Sequence, residues 1–208
     1  MNGEIPDWAL IEAMRMKEME KKKKRQSREG LNWDKVAHTL SLPFRPSHTE
    51  TLLHVERFED LEVADIVNGV RGLALDVDGT MVPHHTEDFS PAVIDKLREL
   101  QASKLRLCVF SNNTNERRLF DRLKIPVVDR VPAKPHPGGF LVAAQRYLDL
   151  APEKCAMVGD NPLTDGGCRR IGMRLILVDP IPGKEGFFHR ASRGYARGVK
   201  QIHDFFRG

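Results

Sequence analysis

From residue 72 onward, apolar residues come in short runs, and the runs stop at polar residues. Gly72-Leu73-Ala74-Leu75 ends in Asp76, Leu105 to Phe110 ends in Ser111, and Cys155 to Val158 ends at Gly159-Asp160. Pro126 to Val131 and Leu175 to Val178 are further candidates. Runs this short suit strands buried on both faces. Between them the spacing becomes helical. Ser90-Pro91 supplies a cap and a first-turn proline ahead of Val93, Ile94, Leu97 and Leu100. Asn113 with Glu116 reads as a capping pair. Phe140, Leu141, Ala144, Tyr147 and Leu148 mark one helix face. Strands alternating with helices predict an α/β fold: a three-layer, Rossmann-like parallel sheet with helices on both faces. Residues 31–70 are mixed, with Pro43 and Pro46 breaking any long helix.

The chain has 208 residues, enough for one buried domain with extensions. The reading is a basic N-terminal extension over 1–40, the α/β domain over 41–183 and a basic amphipathic segment over 184–208. The net charge is +4. Residues 181–208 carry six basic and two acidic side chains, whereas the preceding segments are balanced, so the excess lies at the C-terminal end. A second basic run, Lys21 to Arg25, is offset by acids around it. No apolar run approaches the roughly 20 residues of a membrane-spanning helix. Three cysteines without a CxxC point away from a disulfide scaffold or zinc site and toward a reducing compartment. Acidic Glu4, Asp7 and Glu12 do not read as a secretory signal, and the expected location is cytoplasmic.

In such sheets ligands sit beyond the carboxyl ends of the strands. Here that edge collects Asp76, Asp78, Ser111, Asn112, Lys134 and Asp160. In extended chain Asp76 and Asp78 point the same way, and Gly79 permits the tight turn that follows. Two adjacent carboxylates repel each other unless a cation joins them, and hard oxygen ligands suit Mg²⁺. Ser111, the Asn112 backbone N–H and Lys134 are suited to phosphoryl oxygens. Any one of these residues is also what a cap or turn requires; all of them at one sheet edge point to phosphate chemistry.

Asp76-Val77-Asp78-Gly79-Thr80, Ser111-Asn112, Lys134-Pro135 and Gly159-Asp160 through Thr164-Asp165 resemble, in order and spacing, the four motifs of the haloacid dehalogenase (HAD) phosphatases. The resemblance implies Asp76 as nucleophile and Asp78 as acid and base. It implies Ser111, Asn112 and Lys134 on the phosphoryl group, and Mg²⁺ held by Asp76, Asp78 (through its carbonyl) and Asp160. Asp165 and Thr80 would lie behind them. Ser111-Asn112-Asn113 with Asn115-Glu116-Arg117-Arg118, then Asn161-Pro162-Leu163-Thr164-Asp165, is similar to the YqeG-type branch, which includes phosphatidylglycerophosphate phosphatases. That branch commonly has Asn where this chain has Gly79.

Only residues 81–90 separate the first motif from the next helix, and only two lie between the third strand candidate and Lys134. The site is expected to be capless and open, which favours a phosphate on a large body. The leading expectation is a lipid phosphate such as phosphatidylglycerophosphate, with peripheral contact at an anionic inner membrane surface. A nucleic-acid end phosphatase is the alternative, and a non-catalytic phospho-partner or RNA scaffold is the reading from another class. Arg117 and Arg118 are candidates for a second substrate phosphate. Tyr195, Val199, Ile202 and Phe206 form a helical stripe among basic residues, suited to a membrane surface or to docking on the domain. His84-His85 and His136 read as loop residues, and Cys108 and Cys155 as buried thiols.

Overall fold

The alternation of apolar side chains decides which way each strand faces. A computed structural model of the chain describes residues 33–206 apart from His85, Glu87, 113–116 and 184–186. The lysine run and the Asn113/Glu116 pair therefore lie outside the described residues. Five strands form one sheet: β1 (Leu53–Val55), β2 (Gly72–Leu75), β3 (Arg106–Val109), β4 (Cys155–Gly159) and β5 (Arg174–Val178). Their order is β1-β5-β4-β2-β3, and every pairing is parallel. Leu73, Leu75, Leu107, Val109, Val158 and Ile176 bury on one face. Ala74, Cys108, Phe110, Met157 and Leu175 bury on the other. Successive residues of one strand thus enter two different cores, which a half-exposed sheet could not accommodate.

Helices cover both faces. Ser90 Oγ accepts the Val93 N–H at 3.2 Å and starts α3 (Pro91–Ala102), which sends Val93, Leu97 and Leu100 into the first core. On the other face α5 (Pro137–Val142) continues through a wider turn, Ala143–Tyr147, and buries Phe140, Ala143 and Ala144. His136 is the cap of α5: its Nδ1 accepts the Gly138 N–H at 3.0 Å. The short α2 (Val63–Ile66) and α4 (Arg117–Leu123) complete the layers.

Some elements differ from the sequence reading. Pro126 to Val131 forms no strand and pairs with β3 through one bridge, Val109 with Val127. Lys124 takes a left-handed conformation just before it, and Pro126 has no N–H to donate, so the pairing stops after one residue. The edge strand β1 was not expected from its mixed stretch, where Leu53 and Val55 alternate around an exposed His54.

The C-terminal helix, α6 (Phe187–Phe205), packs with the rest of the described chain in one compact unit. Its buried stripe is Arg193, Ala196, Val199 and His203. Of the expected stripe only Val199 is buried, while Tyr195, Ile202 and Phe206 face solvent. The reason is the seam it meets. Small Ala196 and Val199 close onto Leu42 and Leu163. The His203 ring nitrogens lie 2.8 Å from Thr49 Oγ1 and 3.0 Å from the Pro43 carbonyl oxygen. Polar partners outweigh the larger apolar side chains in choosing the inner face.

The same seam contains α1 (Trp33–Ser41), whose His38 stacks on His48 with ring centroids 5.7 Å apart. His38 Nε2 and His48 Nδ1 are buried without a hydrogen-bond partner among the described residues. Burial, then the facing His48, Arg170 and Arg45 charges, hold His38 down at about 4, from an ordinary 6.5. Burial and the charges of Arg45, Arg170 and Arg169 lower His48 as well. In the unfolded chain both protonate near the ordinary value. Between about pH 6.5 and 4, acid therefore protonates the unfolded chain first and stability falls, for His38 by up to about 3 kcal/mol. The thermal midpoint is expected to drop between pH 7 and 4.5, and to drop less in His38→Gln. Equal drops in the two proteins would show that His38 is not a source of the acid sensitivity.

Candidate active site

Parallel register delivers the chemical residues to one edge. Leu75 pairs with Val109 on one side and Val158 on the other, so the residues after β2, β3 and β4 emerge together. The chain runs outward from β2 to β3 and then returns to β4 on β2's other side. Reversal of direction between neighbouring strands opens a crevice at their carboxyl ends. Asp76 enters it directly, its N–H donating to the Val158 carbonyl at 2.9 Å. A tight turn follows, in which the Met81 N–H reaches the Val77 carbonyl at 2.8 Å and the Gly79 N–H the Val82 carbonyl at 2.7 Å. Gly79 has φ +80°, and a Cβ there would lie 3.0 Å from both Asp160 Oδ2 and His84 Nε2. This close approach gives a physical reason for glycine at position 79. Thr80 is buried beneath the turn, its hydroxyl without a hydrogen-bond partner among the described residues.

Ser111 is buried after β3, and the next residue joins two loops. Asn112 Oδ1 accepts the Lys134 N–H at 2.9 Å, and its Nδ2 faces the Lys134 carbonyl at 3.4 Å. The loop after β4 is shaped by its own polar groups. Asp165 Oδ2 accepts the Asn161 N–H at 3.0 Å, and Asn161 Oδ1 accepts the Leu163 N–H at 3.0 Å. A Cβ on Gly159 would sit 2.3 Å from Asp165 Oδ2, so only glycine lets Asp165 fold back under the strand end.

The result is a dense cluster of buried charge. Carboxylate oxygens of Asp76, Asp160 and Asp165 lie within 4.8 Å of one another. Lys134 Nζ sits 2.8 Å from Asp76 Oδ1 and 2.6 Å from Asp165 Oδ1, with its side chain 1% exposed. Arg193 Nη1 lies 2.6 Å from Asp160 Oδ2. Burial opposes the charge on Lys134, yet the two carboxylates facing it raise its pKa well above the usual lysine range. Burial pushes Asp165 up, with the Lys134 ammonium pulling against it. Asp160 is also raised, by burial and by Asp76, against the opposing Arg193 charge. Three carboxylates at this spacing form a donor set for a hard cation, and the lysine adds a fixed positive charge suited to an anion.

Of the residues expected at the site, Asp76, Asp160, Asp165 and Lys134 are in the cluster, Asn112 holds the Lys134 backbone, and Asp78 and Thr80 lie on the adjoining turn. Ser111 is buried directly before Asn112. Arg117 begins α4, and Arg118 is exposed on it. Two further residues stand at the site. His84, for which the loop reading was favoured over contact with substrate, lies half-buried near Asp160 and lowers that carboxyl. Arg193 comes from a helix 33 residues beyond Asp160, with no motif around it to mark it. The buried thiols take no part: burial raises Cys155 to about 11 and Cys108 and Cys168 further, which leaves them protonated.

Comparison with known proteins agrees with this geometry. Residues 83–166 match the haloacid dehalogenase-like hydrolase family. The probable phosphatase YqeG of Bacillus subtilis (strain 168) is 34% identical over 134 residues, covering 62% of this chain and 76% of the relative. A crystal structure of 3-deoxy-D-manno-octulosonate 8-phosphate phosphatase from Yersinia pestis is similar over 68% of this chain and 84% of that one, at 20% identity and a TM-score of 0.38. With the buried acid–lysine cluster at the switch point of the sheet, the YqeG relationship establishes the chain as a member of the haloacid dehalogenase-like hydrolases, a phosphatase of the YqeG type.

Proposed function

We propose that this phosphatase is a Mg²⁺-dependent phosphomonoester hydrolase that works through an aspartyl phosphate and acts on a phosphate displayed at a lipid surface. The observation that carries the mechanism is the Lys134 ammonium held between Asp76 and Asp165, in a cluster of carboxylates that also includes Asp160. The set of hard, clustered oxygens fits Mg²⁺, held by Asp76, Asp160 and the Asp78 carbonyl, with Asp165 behind. Bound there, the ion neutralises phosphoryl charge, where phosphoryl transfer gains most of its catalysis.

The chain's own residues carry the steps. A carboxylate oxygen of Asp76 bonds to phosphorus as the ester P–O bond breaks, and Asp78 gives its proton to the departing alkoxide. Asp78 then takes a proton from water, the water oxygen bonds to phosphorus, and the P–O bond to Asp76 breaks to free phosphate. Lys134 and the Ser111 hydroxyl bind the phosphoryl oxygens throughout, assisted by the Asn112 N–H. Lys134 can do this because Asp76 and Asp165 fix its position before substrate arrives.

Two observations support the lipid reading. Only residues 81–90 separate the first motif from α3, too few for an enclosing cap domain. The C-terminal end of α6 exposes Ile202 and Phe205, and Phe206 follows directly, both phenylalanines 80% accessible. The nearby 3₁₀ turn Leu42–Phe44 exposes Phe44, 84% accessible, next to exposed Arg45. His203 joins α6 to that turn through the Pro43 carbonyl. Aromatic side chains beside basic ones suit the interface of an anionic bilayer. Among the described residues no helix is long and apolar enough to cross a membrane. The proposed contact is a peripheral one, at the cytoplasmic face.

Asp76→Asn is expected to lose aryl-phosphate turnover by at least about a thousandfold, and chelation to abolish it in the wild type. Retained turnover in the variant would remove the covalent mechanism. On substrate choice, phosphatidylglycerophosphate in anionic vesicles should be hydrolysed faster than soluble phosphosugars, nucleotides or a phosphorylated oligonucleotide. The ratio of vesicle to soluble turnover should fall about tenfold or more in Phe205→Glu/Phe206→Glu, following the loss of apolar insertion. No preference for vesicles, or an unchanged ratio, would count against a lipid surface.

A further inference from the structure

A buried guanidinium is costly unless it is paired, so where a chain buries one, its partner is informative. Arg193 is buried on the inner stripe of α6, with Nη1 2.6 Å from Asp160 Oδ2. Lys134 is held by Asp76 and Asp165. The two fixed cations between them reach every carboxylate of the cluster. Lys134 is supplied by the loop before α5, whereas Arg193 comes from the last helix.

The helix is anchored on the loop that follows Asp160. Leu163 packs with Ala196, Val199 and Leu42 in one small cluster. The Asn161 side chain and Asp165 shape the same loop. Near the other end of the buried stripe, His203 is fastened to Thr49 and the Pro43 carbonyl. Between Arg193 and His203, the Arg197 guanidinium pairs with Asp179 at 3.0 Å. The position of the Arg193 side chain is thus set by apolar packing on one side and polar contacts on the other. An arginine placed this way orients its acceptor, because its planar donors accept only a limited range of carboxylate directions.

We propose that Arg193 is a positioning residue: from the docked C-terminal helix it holds the Asp160 carboxylate in the orientation that binds the divalent cation. The proposal rests on the reading of Asp160 as a metal ligand. Hydrogen-bond partners behind ligating carboxylates set metal affinity, and their loss costs about 10- to 100-fold. α6 thereby becomes part of the condition for a formed site, although it lies beyond residues 83–166, where the family match falls.

The test is Mg²⁺ binding to the full chain, measured by calorimetry without substrate, in wild type, Arg193→Ala and Arg193→Lys. The dissociation constant should rise about 10- to 100-fold in Arg193→Ala and be partly restored in Arg193→Lys, which keeps one charged donor. Affinity in Arg193→Ala equal to or tighter than wild type would overturn the proposal, since an arginine that merely competed with the ion would give the latter. Hydrogen exchange of wild-type α6 with and without Mg²⁺ covers the case in which the variants fail to fold. Protection that holds or rises with Mg²⁺ supports the proposal, and loosening of α6 on Mg²⁺ addition overturns it. Wild-type protein that binds no Mg²⁺ would overturn the metal reading itself, and this proposal with it. Wild-type binding that Arg193→Ala leaves unchanged would overturn this proposal alone.

Discussion

Like charges crowded at one sheet edge are the constraint on which this protein is built. Asp76, Asp160 and Asp165 bring their carboxylates within 4.8 Å, and burial and the neighbouring carboxylates oppose ionisation of Asp160 and Asp165. Such a cluster persists only with cations fixed among its members. Lys134 and Arg193 supply that charge from opposite directions, and much of the surrounding structure can be read as what holds those two side chains in place. Asn112 grips the Lys134 backbone, while Leu163, Ala196 and Val199 seat the helix that brings Arg193.

The sheet makes the crowding possible. Parallel pairing in register sends Asp76 and Asp160 out side by side from neighbouring strands. Double-sided burial leaves those strands little freedom to slip, because a shift of one residue would exchange the two cores. Small residues then let the acids approach. At Gly159 a side chain would collide with Asp165, and at Gly79 it would crowd Asp160 and His84. Close approach of carboxylates is therefore a property of the glycines as much as of the acids.

Only residues 81–90 separate the first motif from α3, and the C-terminal helix meets the Asp160 side of the crevice through Arg193. One helix then has two faces with different chemistry. Its inner stripe meets the acid cluster and the histidine seam, and its exposed end carries aromatic side chains. The family relationship establishes a phosphatase, and the reading of a lipid phosphate draws on this two-faced helix and the uncapped site.

Much of the acidic sheet edge was legible in the sequence, because strand ends followed by polar residues are local patterns. Asp76, Asp160, Asp165 and Lys134 are each marked by a neighbouring motif residue and a preceding apolar run or proline. The α/β alternation was legible for the same reason, since both strand and helix periods are short-range. Other features were not local. Pro126 to Val131 looked like a strand but lacked an extended partner, and β1 lacked a strong pattern but found one in β5. The inner face of α6 followed hydrogen-bond partners more than a hundred residues away, so the large apolar residues that dominate its pattern point outward. The sequence by itself determined the fold class and picked out the acids and lysine that the structure gathers in one buried cluster, because residue type and spacing encode these directly. Only the tertiary structure decided that Arg193 and His84 stand beside Asp160 and which face of the last helix is buried, because those depend on which distant surfaces meet.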